Sequence, residues 1–222
     1  MRRRNPFEKA DHVLSRTAGS LGHPVLDRTL ITLSRAADRS LLWLGVAAVM
    51  AVAGGRFGRR AALRGVLSVG VTSALVNGPL KLLAGRRRPP HPPPRTRALR
   101  RTHPSGSFPS GHSASAFAFA TAVALEKPAL ALPLGAAAAA VAASRVHAGV
   151  HHPTDVLAGS AVGAAVALGS TRLWPVAPHE PAQTLPGLAR VETDPFPEGR
   201  GITFVVNSAA GPALHPDRAR EP

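Results

Sequence analysis

The 222-residue chain contains no cysteine, which excludes disulfides and thiolate metal sites and leaves no mark of the redox compartment. Aromatic residues are scarce, at 4%, whereas a soluble core of this size draws on more large rings. The apolar share of 45% is instead mostly Ala, Val, Leu and Gly, small residues that let membrane helices approach closely. Acidic side chains are also few: 12 Asp and Glu face 27 Lys and Arg, a formal net charge of +15. A basic-face or aromatic-stacking motif is missing, so no nucleic-acid partner is expected. An apolar signal region is missing too: Glu8, Lys9 and Asp11 follow the basic Met1-Arg-Arg-Arg4, so a cleaved signal peptide is not expected.

What is present is a series of uncharged runs: Ser40–Gly55, Gly65–Leu80, Ser113–Leu125, Pro128–Ser144 and Val156–Thr171. Most are near the lower length limit for crossing a bilayer, about 17 residues, and flanking Arg and Lys can snorkel. Five near-consecutive runs leave almost no polar face for water, which argues against a soluble bundle. The expectation is an all-α, multi-span transmembrane helical bundle of about five spans. Three segments are expected: residues 1–39, an amphipathic helical stretch at the membrane surface; 40–172, the membrane domain; and 173–222, a linker and tail. The arginines fall between the apolar runs, which suits contact with anionic lipid headgroups. Residues 85–109 are rich in Pro and Arg and are too long for a plain connector, a size common among binding loops.

Three short stretches at the ends of apolar runs carry the chemistry. In Lys81-Leu-Leu-Ala-Gly-Arg-Arg-Arg88-Pro89, Lys81 and Arg88 are close to two helical turns apart and would share a face if the helix persists. Arg forks onto two phosphate oxygens, while Lys acts as a point charge. Arg86 and Arg87 are accounted for as ordinary basic flanks. In Pro109-Ser110-Gly111-His112, Ser110 is a helix N-cap and Gly111 lets a ligand approach the backbone. The free amides of the helix start form an anion site, with His112 placed to donate a proton. In the third stretch, Arg145 precedes His151 and Asp155. His151 can act as a nucleophile, Asp155 can hold its far ring nitrogen, and Arg145 can clamp a transferring phosphoryl group. His147, His151, His152 and Asp155 also cluster as a metal site would. The surrounding cations repel a metal and attract phosphate, so no metal or other cofactor is expected.

These stretches resemble the three signatures of the type 2 phosphatidic acid phosphatase superfamily: K-x6-R-P, P-S-G-H and S-R-x5-H-x3-D. That superfamily includes lipid phosphate phosphatases, polyprenyl diphosphate phosphatases, glucose-6-phosphatases and vanadium-dependent haloperoxidases. Every fixed position is present in order, and the resemblance spans about residues 40–172. It implies that Lys81, Arg88, Ser110, Gly111 and Arg145 bind the phosphate. It further implies that His112 protonates the leaving oxygen, His151 attacks phosphorus and Asp155 supports His151. His91, His103, His147 and His152 match no catalytic position. Membrane members commonly have six spans, one more than the runs counted here.

The expected activity is therefore hydrolysis of a phosphomonoester or diphosphate on a lipid, of the phosphatidate or polyprenyl phosphate type, through a phosphohistidine. A vanadate-dependent haloperoxidase uses the same residues, but five apolar spans and a short chain argue against it. A non-enzymatic protein binding anionic lipid would need only cations, not His112, His151 and Asp155 as well. The expected partners are a lipid phosphate and membrane lipids; the expected location is the cell membrane. Setting aside the site arginines, the positive-inside rule puts Arg56–Arg64, read as a loop, in the cytoplasm and the site outside. In the tail, Val205–Gly211 resembles the opening strand and turn of a diacylglycerol kinase catalytic domain, with no later kinase motif.

Overall fold

The computed structural model describes residues 11, 13–15, 17, 24–89 and 106–177. The described residues before Ala177 belong to one compact unit, Met1–Val176. Among the described residues it has six long helices: α1 (Pro24–Ala36), α2 (Leu41–Ala53), α3 (Gly55–Leu75), α5 (Gly111–Glu126), α6 (Ala131–His147) and α7 (Pro153–Gly169), with one short turn, α4 (Lys81–Ala84), between α3 and α5. No strand occurs among the described residues. The kinase-like stretch at 205–211 and residues 90–105 of the proline-rich loop lie outside them.

Each of the five apolar runs forms a helix. Arg56–Arg64, expected as a loop, is instead the first part of α3. A full loop is unnecessary because two glycines make the corner. Gly55 adopts φ +60°, and a Cβ on Gly54 would lie 2.5 Å from the Met50 carbonyl oxygen. Such a corner is open only to residues without a side chain. The helix also does not persist from Lys81 to Arg88. α3 first widens into a π turn at Val76–Leu80, where Gly78 leaves helical geometry and Pro79 lacks a backbone donor. α4 then ends at Gly85, which has φ +54°. Arg88 therefore reaches the site from non-helical chain.

α5 is the central helix and packs against α3, α6 and α7. Its buried positions are largely alanine, with Phe119 and Val123 supplying bulk. Phe119 meets Trp43 with ring centroids 5.4 Å apart. It fits because α3 carries Gly65 there: a Cβ would stand 2.7 Å from the ring. Val52, Leu63, Leu67, Val71, Leu132 and Leu157 are exposed on the outside, an apolar exterior suited to lipid. At the end remote from the three motifs, Glu126 accepts from Arg64 at 2.7 Å and from Arg60 at 3.0 Å. Both guanidiniums lie over Trp174, at 4.8 and 4.7 Å respectively.

Among the described residues, Gly55–Ala84 (30 residues) and Pro128–His147 (20 residues) are each long and apolar enough to cross a bilayer. Arg28–Ala36 and Asp38–Ala53, bent by 58°, make a third candidate as one broken span. α5 and α7, with 16 and 17 residues, are shorter.

α5 and α7 approach each other closely. A Cβ on Gly163 would lie 2.0 Å from the Ala114 carbonyl oxygen, and one on Gly159 would lie 2.4 Å from that of Ser110. The pair forms a G-x-x-x-G stripe, which lets two backbones touch. Gly163→Ala should cost about 1–3 kcal/mol by overpacking, seen as a lower thermal midpoint in detergent. Gly45→Ala, where a Cβ would meet nothing within 4 Å, should keep or raise the midpoint, since alanine favours the helix. Equal midpoints for the two variants would refute the close contact.

Candidate active site

The helix directions bring the three motifs to one end of the bundle. α4 ends there, α5 and α7 begin there, and α6 finishes there. Between them lies a cavity of about 350 Å³, lined by Lys81, Arg88, Gly111, His112, Arg145 and His151, six of the eight residues singled out from the sequence. Ser110 and Asp155, the other two, are fully buried behind this wall.

Lys81 sits just past the π turn and donates to the Asn77 side-chain oxygen at 2.9 Å. Arg88 donates to the Val150 carbonyl at 3.1 Å, and its Nη1 lies 3.4 Å from His151 Nε2. Arg145, in the last turn of α6, donates to the Ser34 hydroxyl. These acceptors are neutral and orient the cations; the Asp38 carboxylate also acts on Arg145. A Cβ on Gly111 would come within 3.4 Å of Asn77 and 3.8 Å of Lys81 Nζ, so the missing side chain keeps the backbone open to a ligand. The Ser110 hydroxyl accepts from Ser113, at 3.0 Å from its hydroxyl and 3.5 Å from its backbone N–H. It works as the helix cap, on the inner side of the wall.

His151 is 2% exposed. Its Nε2 is the nitrogen beside Arg88 and the cavity; its Nδ1 lies 3.6 Å from Asp155 Oδ2. That is longer than a hydrogen bond, a gap common where catalytic contacts tighten only around substrate. Burial pushes the His151 pKa down to about 4; nearby Arg145 and Arg88 push the same way, and Asp155 opposes them. The ring is therefore neutral near pH 7.

Five contributors were not singled out from the sequence. Asn77 orients Lys81, and Ser34 orients Arg145. Asp38 Oδ1 lies 2.7 Å from His112 Nε2, and Arg39, next along, lines the cavity at φ +52°. Arg86, read as a plain basic flank, instead donates to Asp155 Oδ1 at 2.7 Å and to Asp11 Oδ2 at 2.6 Å. The sequence held one usable signal, the Asn77-Gly78-Pro79 breaker inside an apolar run. The rest are contacts between residues far apart in the chain.

A helical bundle with membrane-length apolar helices, and with four cations and two imidazoles around one cavity, has the features of a membrane phosphatase. The family model of the PAP2 superfamily matches residues 62–177, more than half of the chain, and the chain belongs to that superfamily. It is accordingly an enzyme, a phosphoric ester hydrolase. Similar solved structures include the following two. One is a transmembrane PAP2-type phosphatidylglycerolphosphate phosphatase from Bacillus subtilis, with 25% identity and a TM-score of 0.63 over 77% of this chain and 87% of that one. The other is Aquifex aeolicus LpxE, with 24% identity and a TM-score of 0.56 over 72% of this chain and 93% of that one; at that identity the likeness concerns the fold alone. No curated protein sequence matches the chain significantly.

Asp38 fixes the His112 ring from outside the three motifs. Asp38→Ala should lower kcat on any phosphate ester about tenfold or more, as losing the partner of a functional histidine does. Asp38→Asn, which still hydrogen-bonds the ring, should retain more activity. Steady-state kinetics check this; a wild-type kcat for Asp38→Ala would show that the contact has no part in turnover.

Proposed function

We propose that the protein is an integral membrane lipid phosphate phosphatase that works through a phosphohistidine, with its active site on the extracytoplasmic side. The observation that carries this reading is the convergence of Lys81, Arg88, Arg145, His112 and His151 on one cavity. Lys81, Arg88 and Arg145, with the first amides of α5, hold the phosphoryl oxygens and stabilise their developing charge. Ser110 supports that binding by capping the helix whose amides are used.

In the first step the His151 Nε2 lone pair forms a bond to phosphorus as the bond to the lipid oxygen breaks. Protonated His112 gives its proton to that oxygen. Asp155 stabilises the cationic ring of the phosphohistidine. In the second step water attacks phosphorus, His112 takes its proton, and the P–N bond breaks to release phosphate. Both steps rely on fixed cations for charge stabilisation.

The substrate class is a phosphomonoester or diphosphate on a lipid such as phosphatidate or a polyprenyl phosphate. Membrane-length helices and the similarity to a phosphatidylglycerolphosphate phosphatase support this. Within this reading 40–172 carries the three motifs; residues 173–176, which the sequence reads as the start of a linker, belong to the compact unit, with Trp174 against Arg60 and Arg64.

Purified protein should release phosphate from at least one member of a lipid phosphate panel, and His151→Ala should lose several orders of magnitude in kcat. The acid limb of wild-type kcat/KM should lie near pH 4, where the His151 pKa of about 4 places loss of the neutral ring. Near-wild-type turnover by His151→Ala would end the covalent mechanism.

The orientation has a direct test, since the chain has no cysteine of its own. Arg56 and Arg87 are exposed at opposite ends of the helical segment Gly55–Ala84. In intact cells an impermeant thiol reagent should label Arg87→Cys, and Arg56→Cys only after permeabilisation. The reverse pattern would put the site in the cytoplasm.

A further inference from the structure

Asp155 is fully buried, and its carboxylate is not set by His151, whose Nδ1 is 3.6 Å away. Two other donors fix it. The backbone N–H of His152 reaches Oδ2 at 2.8 Å, and Arg86 Nη1 reaches Oδ1 at 2.7 Å. Two contacts on two oxygens define the carboxylate plane and turn Oδ2 toward the imidazole. Arg86 is fixed in its turn. Its Nη1 also donates to the Thr154 hydroxyl at 2.6 Å, and its Nη2 donates to Asp11 Oδ2 at 2.6 Å.

Asp11 closes the network. Besides Arg86, it accepts from the Thr154 hydroxyl at 2.6 Å and from the Thr154 backbone N–H at 3.1 Å. That N–H belongs to the first turn of α7 and has no partner within the helix. A carboxylate there also meets the positive end of the helix dipole. Burial pushes the Asp11 carboxyl up, but the bonds from Thr154 and Arg86 outweigh it and hold the group below its ordinary value. Arg86 occupies one of the unspecified positions between Lys81 and Arg88, so the family signature assigns it no role.

We propose that Arg86 is a positioning residue: clamped by Asp11 and Thr154, it holds Asp155 in the plane that presents one oxygen to His151, and so makes the N-terminal segment part of the catalytic apparatus. The proposal rests on the reading of His151 as nucleophile. It has an electrostatic consequence with a definite sign. Arg86 draws charge from Asp155, weakening the support that Asp155 gives to a protonated His151. Removing the guanidinium should make His151 more basic. The other charged groups facing His151 are Arg88 and Arg145, with Lys81, Arg39 and His112 around the same cavity. None of them is altered in the test variants.

The test compares wild type, Arg86→Gln, Arg86→Lys and Asp11→Asn in detergent, on a substrate that the wild type hydrolyses. Arg86→Gln should lose about 10- to 100-fold in kcat, the range seen when an outer-sphere partner is lost. Its KM should stay within about twofold, because no bound-phosphate contact is removed. The acid limb should move up by about one pH unit. Arg86→Lys, which can bond Asp155 or Asp11 but lacks the fork, should fall between Gln and wild type. Asp11→Asn should lower kcat without moving the limb upward. The His151 ring titration, followed by ¹⁵N NMR and assigned by its loss in His151→Ala, should show the same upward shift in Arg86→Gln or, if that variant does not fold, a smaller upward shift in Arg86→Lys, which keeps a positive charge but not the fork.

A raised KM with an unmoved limb would make Arg86 a phosphate ligand and overturn the proposal. So would wild-type kcat in both Arg86 variants, or a His151 titration that moves down or not at all. A wild type that hydrolyses no lipid phosphate defeats the functional reading instead, and the ring titration still decides whether Arg86 controls His151 through Asp155.

Discussion

The touching backbones of α5 and α7 are the constraint on which the site depends. Gly159 and Gly163 remove the side chains that would separate the helices. At their shared end the Ser110 N–H then donates to the Asp155 carbonyl at 2.9 Å. One contact thus places the helix start that carries Gly111 and His112 against the helix start that carries Asp155, with His151 just before it. The alanine-rich surface of α5 extends the same logic to α3 and α6. A bundle with bulkier seams would hold these groups several ångströms further apart, beyond the reach of a single phosphate.

The two ends of the bundle handle positive charge in opposite ways. At the remote end Arg60 and Arg64 share Glu126 and stack on Trp174. Arg64 and Glu126 are each 1% exposed; neutralisation and added hydrogen bonds make such burial tolerable. At the cavity Lys81, Arg88 and Arg145 donate to an amide oxygen, a backbone carbonyl and a hydroxyl. Those acceptors are neutral and set the geometry of the three side chains. Like charges gathered in this way repel one another until an anion arrives, so the cluster favours phosphate over a neutral ligand.

Much of this was legible in the sequence because it depends on local patterns. Uncharged runs mark helices whatever their neighbours, and all five runs proved helical. Ser110 was readable as a cap from its place before an apolar run. The start of α3 was not, because arginines after Gly54-Gly55 look like a loop until the corner is seen to need only glycine. Arg86 could not be told from Arg87 by composition. The difference is that Arg86 meets Asp155 and Asp11, 69 and 75 residues away, and pairing at such range leaves no periodic trace. Asp38 and Ser34 were hidden for the same reason, in a stretch that reads only as amphipathic.

The ends of this unit meet across it. Asp11 bonds Thr154 over a separation of 143 residues, and Ser34 bonds Arg145 over 111. Helices entering a membrane one after another from the ribosome can form α2, α3 and their hairpin early, but not these closures. Arg86 and Arg88 must wait at the membrane, with Thr154, Asp155 and Val150 still untranslated, until α7 emerges. The enzyme is therefore inert through most of its own synthesis, and any event that stalls insertion before α7 leaves a membrane-embedded bundle with several cations at one end and no means of turnover.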